Sequence, residues 1–462
     1  MKNLVLYICT AILLPLLGAR MARAESASGG IAWCGVRIID GTGRPAIESG
    51  TVVARNGRLE AVGRNVKLPK GLQCTDGSGK TIIPGLISAH SHVNSASQLG
   101  IYLRDGITTV LSLGGDKEFA LRDQAASAAP GTVPHLYVAG PIQDSTAIPG
   151  AVAVHTPEEA RKNVDDLVEH RPDIVKLRVD DFLGARPKMS PEVYGAIIAE
   201  AHKAGCRVAA HVVLLDDAKG VLRAGIDYIA HSVRDREVDD EFISLMKKRG
   251  VFYSPTLTRE VAVFTYSQRP KFFDDAFFLK EADPAEIAKM EDPKYQETVR
   301  NDPAAKWYKE HLPIAMHNLK TISDAGAAIV MGTDTGGGPG RFQGYFEHLE
   351  LEYETKAGLT PMQALISATR EPAKLLHISD HAGTLERGKW ADFVVLNANP
   401  LEDIRNTRKI DSVWVGGVRV PTNQLFSARS SEARLSGESR IEFDRPDGRN
   451  RPGVTLRAVE RR

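Results

Sequence analysis

Eight short apolar runs, most separated by helical patterns, constrain the fold of this chain more than any other feature. They are Leu86–His92, Thr109–Leu113, His135–Ala139, Ile174–Val179, Val208–Val213, Tyr228–Ser232, Val251–Thr256 and Ala328–Thr333. Helical patterns between them include Pro157–Glu169, Pro191–Ala204 and Asp239–Arg249. Strands alternating with helices form parallel sheets, and eight is the number that closes a (β/α)8 TIM barrel. An open doubly wound sheet would call for a Gly-rich phosphate loop after its first strand, and none is present.

Shorter strands lie on either side of this centre. Ala32–Ile39, Gly50–Arg55 and Arg58–Val62 are punctuated by Gly41-Thr-Gly43, Asn56-Gly57 and Asp76-Gly77. A similar pattern returns at Ala391-Asp-Phe-Val-Val-Leu396 and Ser412-Val-Trp-Val-Gly416. The expectation is a small β-sandwich built from both ends of the chain, from 25–83 and 383–421, around a barrel over 84–382. Beyond Pro421 the tail 422–462 is rich in Ser and Arg, poor in apolar residues, and reads as extended or partly disordered.

The N-terminus reads as an export signal over 1–24. Lys2 precedes the apolar run Leu4–Leu17, and Ala22-Arg23-Ala24 offers a small-x-small cleavage site. An uncleaved anchor is the alternative, but the run is short for a membrane span. The mature chain would begin near Glu25, in the periplasm or outside the cell. Cys9 leaves with the signal, and Cys34, Cys74 and Cys206 remain. Export would permit a Cys34–Cys74 disulfide within the small β-domain, although sequence does not show whether their backbones approach. No Cys-x-x-Cys pattern supports a thiolate zinc site or a redox centre. A formal net charge of +1 gives no reason to expect nucleic acid or an anionic membrane as partner. A small-molecule substrate is expected, and a homo-oligomer is left open.

In such barrels the chemistry sits at the C-terminal ends of the strands. The first apolar run, Pro84-Gly-Leu-Ile-Ser-Ala-His90-Ser-His92, ends in two histidines that alternation puts on one face. Later strand ends carry Lys176, His211, His231 and Asp334. A lone strand-end histidine is usually a satisfied polar residue; four histidines, a lysine and an aspartate at five strand ends point to a metal site. In Ile174-Val-Lys176-Leu-Arg178-Val, the apolar face faces the surrounding helices, so Lys176 points inward. A buried ammonium is costly unless paired or neutral. A neutral amine can take up carbon dioxide to form a carbamate able to bridge two cations. The alternative is a salt bridge from Lys176 to Asp180 or Asp334.

With these residues in place, the chain resembles the amidohydrolase superfamily of metal-dependent hydrolases, within it the imidazolonepropionase-related and Xaa-Pro dipeptidase-like group. The motifs are the His90–His92 segment, Gly332-Thr-Asp334, Ala357-Gly-Leu-Thr-Pro361 with Ala364-Leu365, and Gly383-Thr-Leu-Glu-Arg-Gly-Lys-Trp-Ala-Asp392. The resemblance extends to about Val420. It implies a binuclear site in which His90, His92 and Asp334 hold one divalent ion, His211 and His231 the other, and the Lys176 carbamate bridges them. Zinc is the default, with manganese or cobalt fitting similar geometry. A metal-bridging hydroxide would attack an amide-type carbon–nitrogen bond of an N-acyl amino acid, a dipeptide or a cyclic amide. Asp334 would carry the proton to the departing nitrogen.

Two departures bear on the substrate. Val138–Pro149 contains no histidine where many dipeptidase-like relatives have one, and strand four continues into Arg178-Val-Asp180-Asp181 without their Gly-rich turn. Both count against a prolidase specificity. Arg178 is a candidate clamp for a substrate carboxylate; a salt bridge to Asp180 is the alternative. Tyr253 could face either side of its strand, and His348 with Glu347 and Glu350 reads as a solvated helix face. The long connection Ser267–Asp324 is expected either to cover the barrel mouth or to decorate the surface. Two other readings stay open: a mononuclear deaminase-like hydrolase with unmodified Lys176, and a non-catalytic binding protein on the same scaffold.

Overall fold

A computed structural model describes residues 30–421. The signal read over 1–24, the mature start near Glu25 and the tail 422–462 lie outside the described residues. Among the described residues, no helix is long and apolar enough to cross a membrane.

All eight expected central strands are present, as Leu86–Ser91, Ile107–Ser112, His135–Val138, Val175–Val179, Val208–Val212, Tyr228–Ala230, Phe252–Ser254 and Ala328–Ile329. Their mutual pairing is parallel, which makes the centre a TIM-barrel-like α/β fold. The ladder differs from a regular barrel at the third strand. That strand stops at Val138, resumes as Ile142–Asp144, and only the second piece pairs with the fourth strand, through Leu177 and Gln143. On the other side, Ser91 bridges to Thr335, and the His92 N–H donates to the Thr335 carbonyl at 2.7 Å.

Side-chain alternation sorts the strands into two faces. Ile174 packs inside with Ala89, Leu111, Ala209, Tyr228 and Val330. Val175, Leu177 and Val179 pack outward against helix residues such as Ile197 and Val221. Lys176 therefore turns inward, as its place in the alternation requires. Tyr253 belongs to the helix-facing set, and its hydroxyl accepts the Val233 N–H at 3.0 Å.

Both ends of the described chain join one further sheet. Thr81–Pro84 pairs antiparallel with Phe393–Leu396, uniting strands from 31–84 with strands from 393–419. The expected sandwich is one continuously bonded eight-stranded sheet. Its alternation buries both sides: Ile82, Phe393 and Val395 join Trp33 and Val36, whereas Ile83, Val394 and Leu396 pack toward Leu86 and Leu103. Asn56 and Gly57, at φ of 52° and 76°, supply the left-handed pair that a tight hairpin needs.

Cys34 and Cys74 form a disulfide with Cα atoms 5.9 Å apart, across a separation of 40 residues. Cys206 is free. A loop of that length restricts the unfolded chain by about 4 kcal/mol on a chain-entropy basis. Replacing both cysteines by serine should lower the denaturation midpoint of the oxidised protein accordingly and leave the reduced wild type almost unchanged. Equal midpoints for oxidised wild type and double mutant would contradict this.

The connection over 267–324 folds mostly into helices. Three open on Asp-Pro: Pro284–Glu291, Pro293–Asn301 and Pro303–Asp324, with Asp283, Asp292 and Asp302 accepting backbone N–H groups as caps. The prolines thus start helices as well as separating them. Phe272, Phe273, Phe277 and Phe278 pack with Phe342, Tyr345 and Phe346 from beyond the eighth strand. Tyr308 reaches two buried arginines, so the insertion is more than surface decoration.

The helix Tyr345–Lys356 corrects one expectation. Glu347, His348 and Glu350 are buried, not solvated. Glu347 accepts from Thr333 at 2.7 Å and Thr335 at 2.9 Å; Glu350 accepts from the Leu257 and Thr258 N–H groups, each at 2.7 Å. His348 Nε2 donates to the Asp105 carbonyl at 2.8 Å. Distant segments supply all these partners, so the local charge pattern looks like a water-facing surface when it is not.

Candidate metal centre and active site

The strand ends bring the expected residues into one chain of rings. His90 lies 5.7 Å from His92 and 4.6 Å from His231, and His231 lies 4.2 Å from His211, measured between ring centroids. Asp334 Oδ1 is 2.9 Å from His92 Nε2 and 3.4 Å from His90 Nε2. One ligand atom from each of His90, His92 and Asp334 falls within 4.8 Å of the others.

Local backbone shapes this convergence. A register irregularity between Ser88 and Ser91 reorients the end of the first strand. His231, Thr256 and Asp334 adopt positive φ of 77°, 44° and 59°. Such conformations cost non-glycine residues roughly 1–3 kcal/mol each and persist only where surroundings impose them. At Thr256 the constraint is visible: Glu350 holds the next two backbone N–H groups.

Three of the four imidazoles have one nitrogen fixed by the protein. His92 Nδ1 donates to the Gly114 carbonyl at 2.8 Å, His211 Nε2 donates to Asp180 at 2.9 Å, and His231 Nδ1 bonds Thr256 Oγ1 at 2.8 Å. Each leaves the other nitrogen for the site, the usual pattern for a metal-ligating histidine. Glu118 supports the first contact by accepting the Gly114 N–H at 2.9 Å.

Burial sets the protonation states. It pushes His90 and His231 well below the usual imidazole range and lowers His211 to about 3, so all three are neutral and able to coordinate. Burial alone would raise Asp334, but Arg341 and the His90 and His92 hydrogen bonds outweigh it and hold the carboxylate well below its usual range. Burial lowers Lys176 to about 7, and its Nζ has no hydrogen-bond partner among the described residues. Neither Asp180 nor Asp334 takes up the lysine. An orphaned, readily neutralised amine beside neutral imidazoles and a carboxylate is a donor set that fits divalent cations.

Arg178 is engaged by Asp144 at 2.7 Å, not by Asp180, and its charge is thereby matched. Sequence reasoning missed a second set of buried charges. Arg234 and Arg259 both reach Glu260 and Tyr308, and Arg341 contacts Asp334. Arg259 and Glu260 follow the seventh strand directly, so the rule that strand ends carry function pointed at them. Arg341 sits in a glycine-rich loop that looks solvent-facing.

Inward side chains at the ends of parallel strands, with a histidine–carboxylate cluster among them, give this barrel-like protein a candidate metal site at the strand ends. The chain belongs to the amidohydrolase family, whose description matches residues 81–420. It is similar to ochratoxinase from Aspergillus niger, 27% identical over 236 residues, which are 50% of this chain and 41% of that protein. The match thus spans less than half the length of that relative. It is also similar to an imidazolonepropionase from Geobacillus, 24% identical over 76% of this chain and 84% of that one. A solved Xaa-Pro dipeptidase with methionine in its active site shares the fold, with a TM-score of 0.66 at 23% identity over 84% of this chain and 99% of that one.

Proposed function

We propose that this protein is a metal-dependent hydrolase of amide-type carbon–nitrogen bonds, acting on N-acyl amino acids, dipeptides or cyclic amides at the strand-end site of a closed (β/α)8 barrel. The observation that carries this reading is the convergence of His90, His92 and Asp334 within 4.8 Å, with a buried, unpartnered Lys176 beside them. His90, His92 and Asp334 would hold one divalent ion, zinc by default, His211 and His231 a second, and Lys176 as its carbamate would bridge them. When bound, such ions polarise a substrate carbonyl and lower the pKa of water. Asp334, ionised and buried, accepts the proton of the attacking water and delivers it to the leaving nitrogen. Gly114, Thr256 and Asp180 keep the imidazoles oriented.

A mononuclear reading has one observation in its favour. Among the described residues, His90, His92 and Asp334 are the group that satisfies tight ligand spacing. Metal analysis of protein purified with zinc separates the two: about two ions per chain are expected for the binuclear centre and about one for the alternative. A screen against N-acyl amino acids, dipeptides and lactams tests the activity itself. Metal-loaded protein that cleaves nothing on such a panel would favour a binding protein on the same scaffold. Export to an oxidising compartment is part of this proposal, and the Cys34–Cys74 disulfide supports it.

A further inference from the structure

The two oxygens of Asp334 face different chemistry. Oδ1 faces His90 and His92, while Oδ2 contacts Arg341 and lies 3.6 Å from Arg259 Nε. Arg234 and Glu260 form a fully buried pair at 2.9 Å. Arg259 Nη1 also reaches Glu260 at 3.0 Å and the Tyr308 hydroxyl at 2.8 Å. Three guanidinium groups thus share two carboxylates. Arg178 and Asp144 form a separate matched pair and do not relieve the imbalance.

Arginine does not shed its proton, so a surplus guanidinium in a buried site calls for an anion. Arg259 is 6% exposed, and its Nε has no hydrogen-bond partner among the described residues. Arg341, 15% exposed at its side chain, contacts the 9% exposed Asp334 carboxylate. Any cation held by the histidines deepens the positive potential. A carboxylate carried by the substrate would supply the missing negative charge.

We propose that Arg259 and Arg341 bind a free carboxylate of the substrate and make this an enzyme for N-acyl amino acids or dipeptides rather than for neutral amides or lactams. The inference rests on the hydrolase reading and narrows it. It also transfers the clamp from Arg178, whose charge is already matched, to the helix Leu257–Thr265 and the loop after the eighth strand. A planar guanidinium pair suits a carboxylate in geometry as well as charge. The competing account is that both arginines only neutralise Asp334 and a carboxylated Lys176.

The test compares ligands that differ only in that charge. N-Methanesulfonyl derivatives of the twenty amino acids, whose sulfonamide bond resists hydrolysis, are titrated into zinc-supplemented full-length protein alongside their primary amides. The best acids should bind at least about 30-fold more tightly than their amides, the scale of a buried charge contact. Arg341→Met should remove most of that preference, and Arg341→Lys should restore part of it. Acids and amides binding alike to wild type, or neither binding, would overturn the proposal without reference to any variant. Turnover of the matching N-acetyl compounds separates the two claims. Equal cleavage of acids and amides would sink the carboxylate pair and leave the hydrolase standing; tight acid binding with no cleavage would do the reverse.

Discussion

Asp334→Asn should abolish turnover, with a fall of about 1,000-fold or more, while the protein stays folded. Asparagine keeps the shape of the side chain but cannot take a proton from the attacking water. It also removes the anion toward which His90 and His92 both point. The substitution leaves Arg341 and Arg259 without the Oδ2 partner they share, so thermal stability should drop modestly. His90→Ala should be equally inactive for a different reason, loss of a metal ligand. Circular dichroism and metal content check both: the two variants should be folded, and His90→Ala should hold less metal than Asp334→Asn, whose amide oxygen remains a neutral ligand. Full activity in a correctly folded Asp334→Asn protein would refute the proton-carrying role.

Much of the fold was legible because burial imposes period-two alternation on strands. In the fourth strand, Val175, Leu177 and Val179 face the helices as their apolar character demands, which places Lys176 inside. The same logic located His90, His92, His211 and His231, since polar residues that end apolar strands are conspicuous. The helix expected over Pro157–Glu169 forms with those bounds, and its Thr156 cap, first-turn proline and Glu159 account for where it begins.

What escaped sequence reading depends on partners distant in the chain. Glu347, Glu350 and His348 satisfy themselves with Thr333, Leu257 and Asp105, and no local pattern announces such pairings. The break in the third strand follows from Gly140 and Pro141. Gly140 sits at φ 74°, and Pro141 cannot donate to the ladder. Arg234 and Arg259 resemble ordinary surface arginines until Tyr308, about 50 residues further on or more, is brought against them. The site is thus visible as a set of candidate ligands long before it is visible as a distribution of charge.

Lys176→Ala is the second variant with a large expected effect, and it tests the least ordinary feature of the site. Burial lowers the amine to about 7, so near neutral pH an appreciable fraction is uncharged and nucleophilic toward carbon dioxide. Nothing among the described residues hydrogen-bonds its Nζ, which a permanent structural ammonium would require. Carbamate formation would account for both facts, because it converts the neutral amine to an N–H carrying two acceptor oxygens that cations can hold. Alanine should therefore cost activity about as severely as the ligand substitutions and lower the metal content. Formate, acetate or propionate should partly restore both, since a small carboxylate fills the space of the missing carbamate. An unmodified lysine acting as a cation predicts the reverse: added acids do nothing, and a small amine such as methylamine rescues instead. Rescue by the amine and not by the acid would move the centre to the mononuclear reading, with Lys176 as a charged neighbour of Asp334.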